Sequence, residues 1–248
     1  MNSTITLEAP AKINIGLHVL SKRKDNYHNI ETIFYPVKLS DKITVKISSH
    51  SGTGAIINFT TNGRLINNND NLCVKAVSLF LQEFNIQESF KIYMRLCKKI
   101  PIGAGLGGGS SDAAAVLKIL SGAFGLDENQ KKKLDKVALK IGSDVPYFLL
   151  GNAAYASSRG EKLIPLPDFK IDNAILIVNP GIHVSTPLAY KMLGIKNEKP
   201  KTLNTIKVYS EKYIDKFTND FEKVVFKKHP EIRIIKEEMK KFGAVYSS

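Results

Sequence analysis

The sequence predicts an α+β chain in which a β-rich amino-terminal half passes through a helical middle into a second α+β half. Three observations carry this. Short alternating or β-branched runs crowd the first ~100 residues, apolar spacings of three and four take over between Ser110 and Gly151, and both patterns recur after Gly151.

Taken in order, strands are expected at 5–9, 13–20, 33–39, 42–48, 55–60 and 89–96. One helix interrupts them: after Asp70-Asn71, the residues Leu72, Ala76, Leu79, Phe80 and Phe84 recur at helical spacing. Helices are then expected at 110–120 and 127–141, followed by a short apolar one opening at Asp144-Val145-Pro146. Strands return at 153–157, 162–166 and, with the strongest pattern, Ala174-Ile175-Leu176-Ile177-Val178, which Pro180-Gly181 ends. Helical patterns close the chain at 186–193, 201–209 and 231–242, and a soft boundary near 151–165 suggests domains of 1–155 and 156–248.

The 248 residues are 43% hydrophobic and 24% charged without low-complexity tracts, which excludes a disordered or fibrous chain. No run approaches a membrane span, and Met1 to Glu8 lacks the basic and apolar regions of a leader, so a cytoplasmic address and no membrane partner are expected. Cys73 and Cys97 are expected to stay reduced, and the five scattered histidines give no zinc spacing. The net charge of +13 favours anionic partners. In residues 196–248 thirteen basic residues are interspersed with eight acidic ones, the pattern of solvated helix faces, so no nucleic-acid partner is expected.

The most informative segment is Pro101-Ile102-Gly103-Ala104-Gly105-Leu106-Gly107-Gly108-Gly109-Ser110-Ser111, between a strand and a helix. A tight turn needs one or two glycines, whereas five in seven residues suit a backbone that wraps a polyphosphate at a helix amino terminus. Ser110 and Ser111 can cap the helix, donate to phosphate or ligate a cation. A Walker A loop would end in Gly-Lys-Ser/Thr, and here Ser110 follows Gly109 directly. The dinucleotide spacing Gly103-x-Gly105-x-x-Gly108 lacks the following strand of a βαβ unit, and the protein-kinase signatures do not occur.

What remains resembles the GHMP kinase superfamily, whose second motif reads Pro-x-Gly-x-Gly-Leu-Gly-x-x-Ser-Ser. Two further segments extend the resemblance. In Pro10-Ala11-Lys12-Ile13-Asn14, a lysine and an asparagine two apart share one strand face, and Gly142-Ser143-Asp144-Val145-Pro146 places one carboxylate before an apolar run. Taken alone, Lys12 reads as an edge lysine, and Asp144 reads equally as a helix cap or a catalytic carboxylate. With Asp25-Asn26-Tyr27-His28 and Asn179-Pro180-Gly181 they form an ordered set, from residue 9 to about residue 190, similar to the 4-diphosphocytidyl-2-C-methyl-D-erythritol kinases of non-mevalonate isoprenoid synthesis.

That resemblance implies a two-domain GHMP kinase fold, with an amino-terminal domain like ribosomal protein S5 domain 2 and a smaller α+β carboxy-terminal domain. It implies transfer of the ATP γ-phosphoryl group to the 2-hydroxyl of a small-molecule acceptor, with Lys12 and Asp144 catalytic and residues 101–111 holding ATP with Mg²⁺. It implies that Tyr27 and Tyr190 stack the cytidine base, that His28 reads its edge, and that Asn14 and Thr186 make polar contacts to substrate. No Mg²⁺ ligand is assigned, and a monomer or weak homodimer is expected. Homoserine- or mevalonate-type kinases are the nearest alternatives, and those acceptors carry no base to stack. An RNA-binding protein would need a basic stripe with exposed aromatics. The family continues past the position of Ser248 with a further glycine loop and strand, so a chain ending there is expected to be impaired in stability or turnover.

Overall fold

The structure, a computed structural model, describes residues 2–62, 70–195 and 217–248, so the helix expected at 201–209 lies outside it. The fold is α+β and divides into two compact units, each drawing on several stretches of sequence. The first comprises Met1–Lys12, Val37–Ile102 and Leu106–Gly151, and the second Ile13–Pro36, Gly103–Gly105 and Asn152–Ser248. Strands β1 (Asn2–Lys22) and β2 (His28–Ser49) contribute to both. Each merges two of the strands expected from sequence. β1 runs through Pro10 and β2 through the polar Ser40-Asp41 pair, where the buried Asp41 carboxylate accepts from the backbone amides of Lys99 and Ile100.

In the first unit, β4 (Phe90–Cys97) runs antiparallel to the end of β2, from Lys42 opposite Cys97 to Ser49 opposite Phe90. Strand β3 (Ile56–Thr61) lies parallel to β4, and helix α1 (Leu72–Glu83) supplies the crossover that a parallel pair requires. Asn71 caps α1 by accepting from the Cys73 amide, and the buried stripe is Cys73, Ala76, Val77 and Phe80. Helix α2 (Gly108–Ala123) is buried along most of its length. Helix α3 (Glu128–Ile141) opens on a reciprocal capping box between Asp127 and Gln130, as the Asp127 start predicts, and α4 (Val145–Leu150) is a short apolar turn with Pro146 at its start.

In the second unit, β5 (Ala154–Ser158) pairs antiparallel with β2 residues 30–34, and β6 (Lys162–Pro165) pairs antiparallel with β5. Ile15, Ile33, Ala153, Leu166, Phe169 and Phe217 form its core. Helices α5 (Thr186–Leu193), α6 (Glu222–Lys228) and α7 (Pro230–Lys241) follow. The segment 174–178 departs from expectation. It is not a strand, because among the described residues no neighbour pairs with it, and Ile175, Leu176 and Val178 stand exposed. No helix among the described residues is long and apolar enough to cross a membrane.

Candidate active site

The glycine-rich loop leaves β4 through Lys98-Lys99-Ile100 and enters α2 at Gly108, two residues before the start expected from sequence. Gly103, Gly105 and Gly107 all have positive φ, at 72°, 75° and 70°, so the backbone turns left-handed at alternate residues. Gly107 is the cap residue of α2 and offers no side chain to the first-turn amides, which stay available for an anion. Ser110 and Ser111 lie in that first turn and do not act as the cap. Ser111 is 1% exposed, and its hydroxyl has no partner among the described residues.

A Cβ at Gly107 would stand 2.8 Å from the Phe148 ring and 3.3 Å from Lys12 Cγ. Gly107→Ala is therefore expected to destabilise the fold by about 1–2 kcal/mol for the left-handed backbone, with a further penalty for the clash, and to displace Lys12. A thermal melt alongside a turnover assay would check it; wild-type values in both would refute the packing argument.

Lys12 and Asp144 come together within the first unit, Nζ to Oδ2 3.7 Å. The Lys12 backbone amide donates to the Leu106 carbonyl at 3.0 Å, fixing the strand against the loop, and the residue is buried. Asp144 precedes α4 in helical conformation and its side chain makes no cap hydrogen bond, which leaves the carboxylate one-third exposed and aimed elsewhere. The turn that carries it also faces the loop helix, since a Cβ on Gly142 would come within 3.9 Å of Ser110 Oγ.

The second unit holds the other expected residues. Arg23 organises the turn at 25–28: its guanidinium donates to Asp25, to Asn29 Oδ1 and to Ser158 Oγ, while its backbone amide donates to the Tyr27 carbonyl. Asn26 takes φ 65° at the tip. Tyr27 is half exposed with the Arg159 guanidinium 4.7 Å over its ring. His28 stacks on Tyr190 with centroids 4.4 Å apart and planes 5° from parallel, and Phe221 meets Tyr190 edge-on at 4.9 Å. Burial, then the Lys22 charge, holds the His28 imidazole below its ordinary pKa, and the neutral ring keeps one donor and one acceptor. Asn14 donates to Thr32 Oγ1 at 3.1 Å, and Thr186 opens α5, exposed.

Sequence reasoning missed three groups. Arg159 covers Tyr27, and His183 lies against the loop, where a Cβ on Gly103 would be 2.8 Å from its Nδ1. The third is a buried cluster in the first unit, in which the Lys98 ammonium bonds both Asp41 and Asp112. Only the polarity of three residues in apolar surroundings signals it in the sequence.

Two carboxylates against one ammonium leave excess negative charge in a dry site. Burial pushes Asp112 up to about 7 against the pull of Lys98, and Lys98 itself is raised by its two acidic neighbours despite burial. The Cys73 thiol, buried near the same carboxylates, is pushed well up and stays neutral. The folded state thus holds a proton on Asp112 that the unfolded chain releases near its ordinary 3.8. The resulting stability is complete below that value and is lost as pH rises through about 7. The melting temperature should fall over that window, and Asp112→Asn should flatten the fall; an unchanged slope in the variant would count against it.

Residues 71–152 match the model of the GHMP kinases N-terminal domain. The 4-diphosphocytidyl-2-C-methyl-D-erythritol kinase of Solibacter usitatus is 40% identical over 96% of this chain and 75% of its own length. That of Porphyromonas gingivalis is 38% identical over 96% and 85%. A crystal structure of 4-(cytidine 5'-diphospho)-2C-methyl-D-erythritol kinase superposes with a TM-score of 0.72 at 32% identity, covering 96% of this chain and 84% of that one.

Proposed function

Because the chain belongs to the 4-diphosphocytidyl-2-C-methyl-D-erythritol kinases, we propose that it transfers the γ-phosphoryl group of ATP to the 2-hydroxyl of that acceptor. The observation that carries the assignment of roles is the Lys12–Asp144 pair. A buried ammonium lies 3.7 Å from a carboxylate that caps nothing, and both lie close to the start of α2.

In this reading Asp144 takes the hydroxyl proton as the acceptor oxygen bonds to the γ-phosphorus. The bond to the bridging oxygen of ADP breaks, and ADP leaves with its electron pair. Lys12 stabilises negative charge on the attacking oxygen, more strongly for being buried. Residues 101–111 hold the polyphosphate through backbone amides, which needs no lysine in the loop.

The described residues contain no cluster of three or more His, Cys, Asp or Glu side chains able to hold a metal. A cation carried mainly on phosphate oxygens would need few protein contacts, and Ser110 with the unpartnered Ser111 hydroxyl would be the residues to supply them. When bound, Mg²⁺ would neutralise the charge of the triphosphate. Tyr190 and His28 form an aromatic shelf suited to a base, which favours the cytidyl acceptor over homoserine or mevalonate.

The test is ADP release from ATP and Mg²⁺ with 4-diphosphocytidyl-2-C-methyl-D-erythritol, homoserine and mevalonate as separate acceptors. Turnover with the cytidyl acceptor alone supports the reading. Equal or greater turnover with either other acceptor overturns it.

A further inference from the structure

The two arms that carry the glycine-rich loop are fastened to each other by charge. On the incoming arm, Asp41 Oδ1 accepts from the backbone amides of Lys99 at 2.5 Å and Ile100 at 2.9 Å, and its Oδ2 accepts from the Lys98 ammonium. The same ammonium donates to Asp112 Oδ2 at 2.8 Å, in the first turns of α2 on the outgoing arm. Asp41 is wholly buried and Asp112 nearly so, and the second oxygen of Asp112 is buried with no partner among the described residues. The arms also touch through Gly108, where a Cβ would stand 3.0 Å from both Lys98 Nζ and Ile100 Cγ2.

From this geometry we propose that Lys98 is a positioning residue for nucleotide binding: with Asp41 and Asp112 it staples the ends of the loop and offsets carboxylate charge beneath the phosphate site. The inference rests on the reading of this chain as an ATP-dependent kinase, but not on the identity of the acceptor. Its logic is electrostatic as well as mechanical. Helix α2 presents its amide end to a polyphosphate, and an unpaired carboxylate within its first turns would compete for the same field. Lys98 removes that competition while holding Asp112 to Asp41, whose other oxygen takes the backbone amides of Lys99 and Ile100.

Lys98→Met leaves two buried carboxylates without their cation. ATP binding, titrated directly with Mg²⁺ and without acceptor, is expected to weaken about tenfold or more. The KM of the acceptor should stay within about twofold, because the unit holding His28 and Tyr190 is not touched by the change. Adding Asp112→Asn to Lys98→Met removes one of the two stranded carboxylates and should recover part of the ATP affinity.

Wild-type ATP affinity in Lys98→Met, equal losses for ATP and acceptor, or no recovery in the double variant would each overturn the inference. If Lys98→Met does not fold, Lys98→Gln, which keeps polar contact but removes the cation, decides: an ATP affinity about tenfold weaker than wild type with the acceptor KM unchanged supports the inference, and a wild-type ATP affinity overturns it. Wild-type protein that fails to bind ATP would overturn the kinase reading as well, whereas failure of the variants alone leaves that reading standing.

Discussion

Asp144→Asn is expected to lower turnover by about 10²–10⁴-fold, the usual contribution of a positioned general base, while leaving the melting temperature and ATP binding close to wild type. Two assignments for this residue compete, and they predict opposite results. A helix cap replaced by asparagine, itself a good cap, would spare both the stability and the chemistry. A base replaced by its amide keeps the shape and loses the ability to take a proton. The structure favours the second, since the Asp144 side chain makes no cap hydrogen bond and sits 3.7 Å from Lys12. Lys12→Ala should be comparably inactive, but with lower stability, because its aliphatic stem packs against the loop and is buried. Near-normal turnover in Asp144→Asn, measured as ADP release at saturating ATP and acceptor, would remove the catalytic role.

Tyr190→Leu should raise the KM of the cytidyl acceptor with the KM of ATP unchanged. A stacked base contributes ~1–3 kcal/mol, which corresponds to roughly 5–150-fold. Leucine is the informative replacement because Tyr190 also packs on Leu17, Val19, Ile30 and Phe221, and alanine would add the cost of a cavity. Tyr190→Phe keeps the ring and should stay within about threefold of wild type. The two variants separate stacking from the phenolic hydroxyl. An equal rise in both would assign the effect to the hydroxyl, and no rise in either would detach Tyr190 from the acceptor. His28 already lies flat on Tyr190, so His28→Ala tests whether the imidazole contributes beyond occupying that face.

Much of the site was legible because its signals are local. The glycine loop was marked by a density of glycines that no ordinary turn needs, and Asn71 and Asp127 marked helix starts that the structure realises with side-chain caps. Lys12 and Asp144, His28 and Tyr190 were each ambiguous alone, and only their joint order pointed to a shared site. The misses share one cause. Arg159, His183, Lys98, Asp41 and Asp112 act through partners outside their own segments, and an isolated polar or charged residue looks the same whether it is solvated or buried in a cluster. The strand expected at 174–178 failed for the complementary reason: an apolar alternating run describes a candidate strand, while a strand exists only where a neighbour takes its backbone hydrogen bonds.

The sequence by itself determined the α+β class and a glycine-rich loop at the head of a helix, since glycine conformational freedom, side-chain capping and apolar periodicity are properties of contiguous residues, and its ordered motifs carried the resemblance to the family. Only the tertiary structure decided that Asp144 faces Lys12 and does not cap its helix, that His28 lies on Tyr190, and that Asp41, Lys98 and Asp112 share one buried site beneath the loop. Those outcomes depend on where the chain places distant side chains and how much water it removes from around them, and burial sets the strength of a charge pair as much as residue type does.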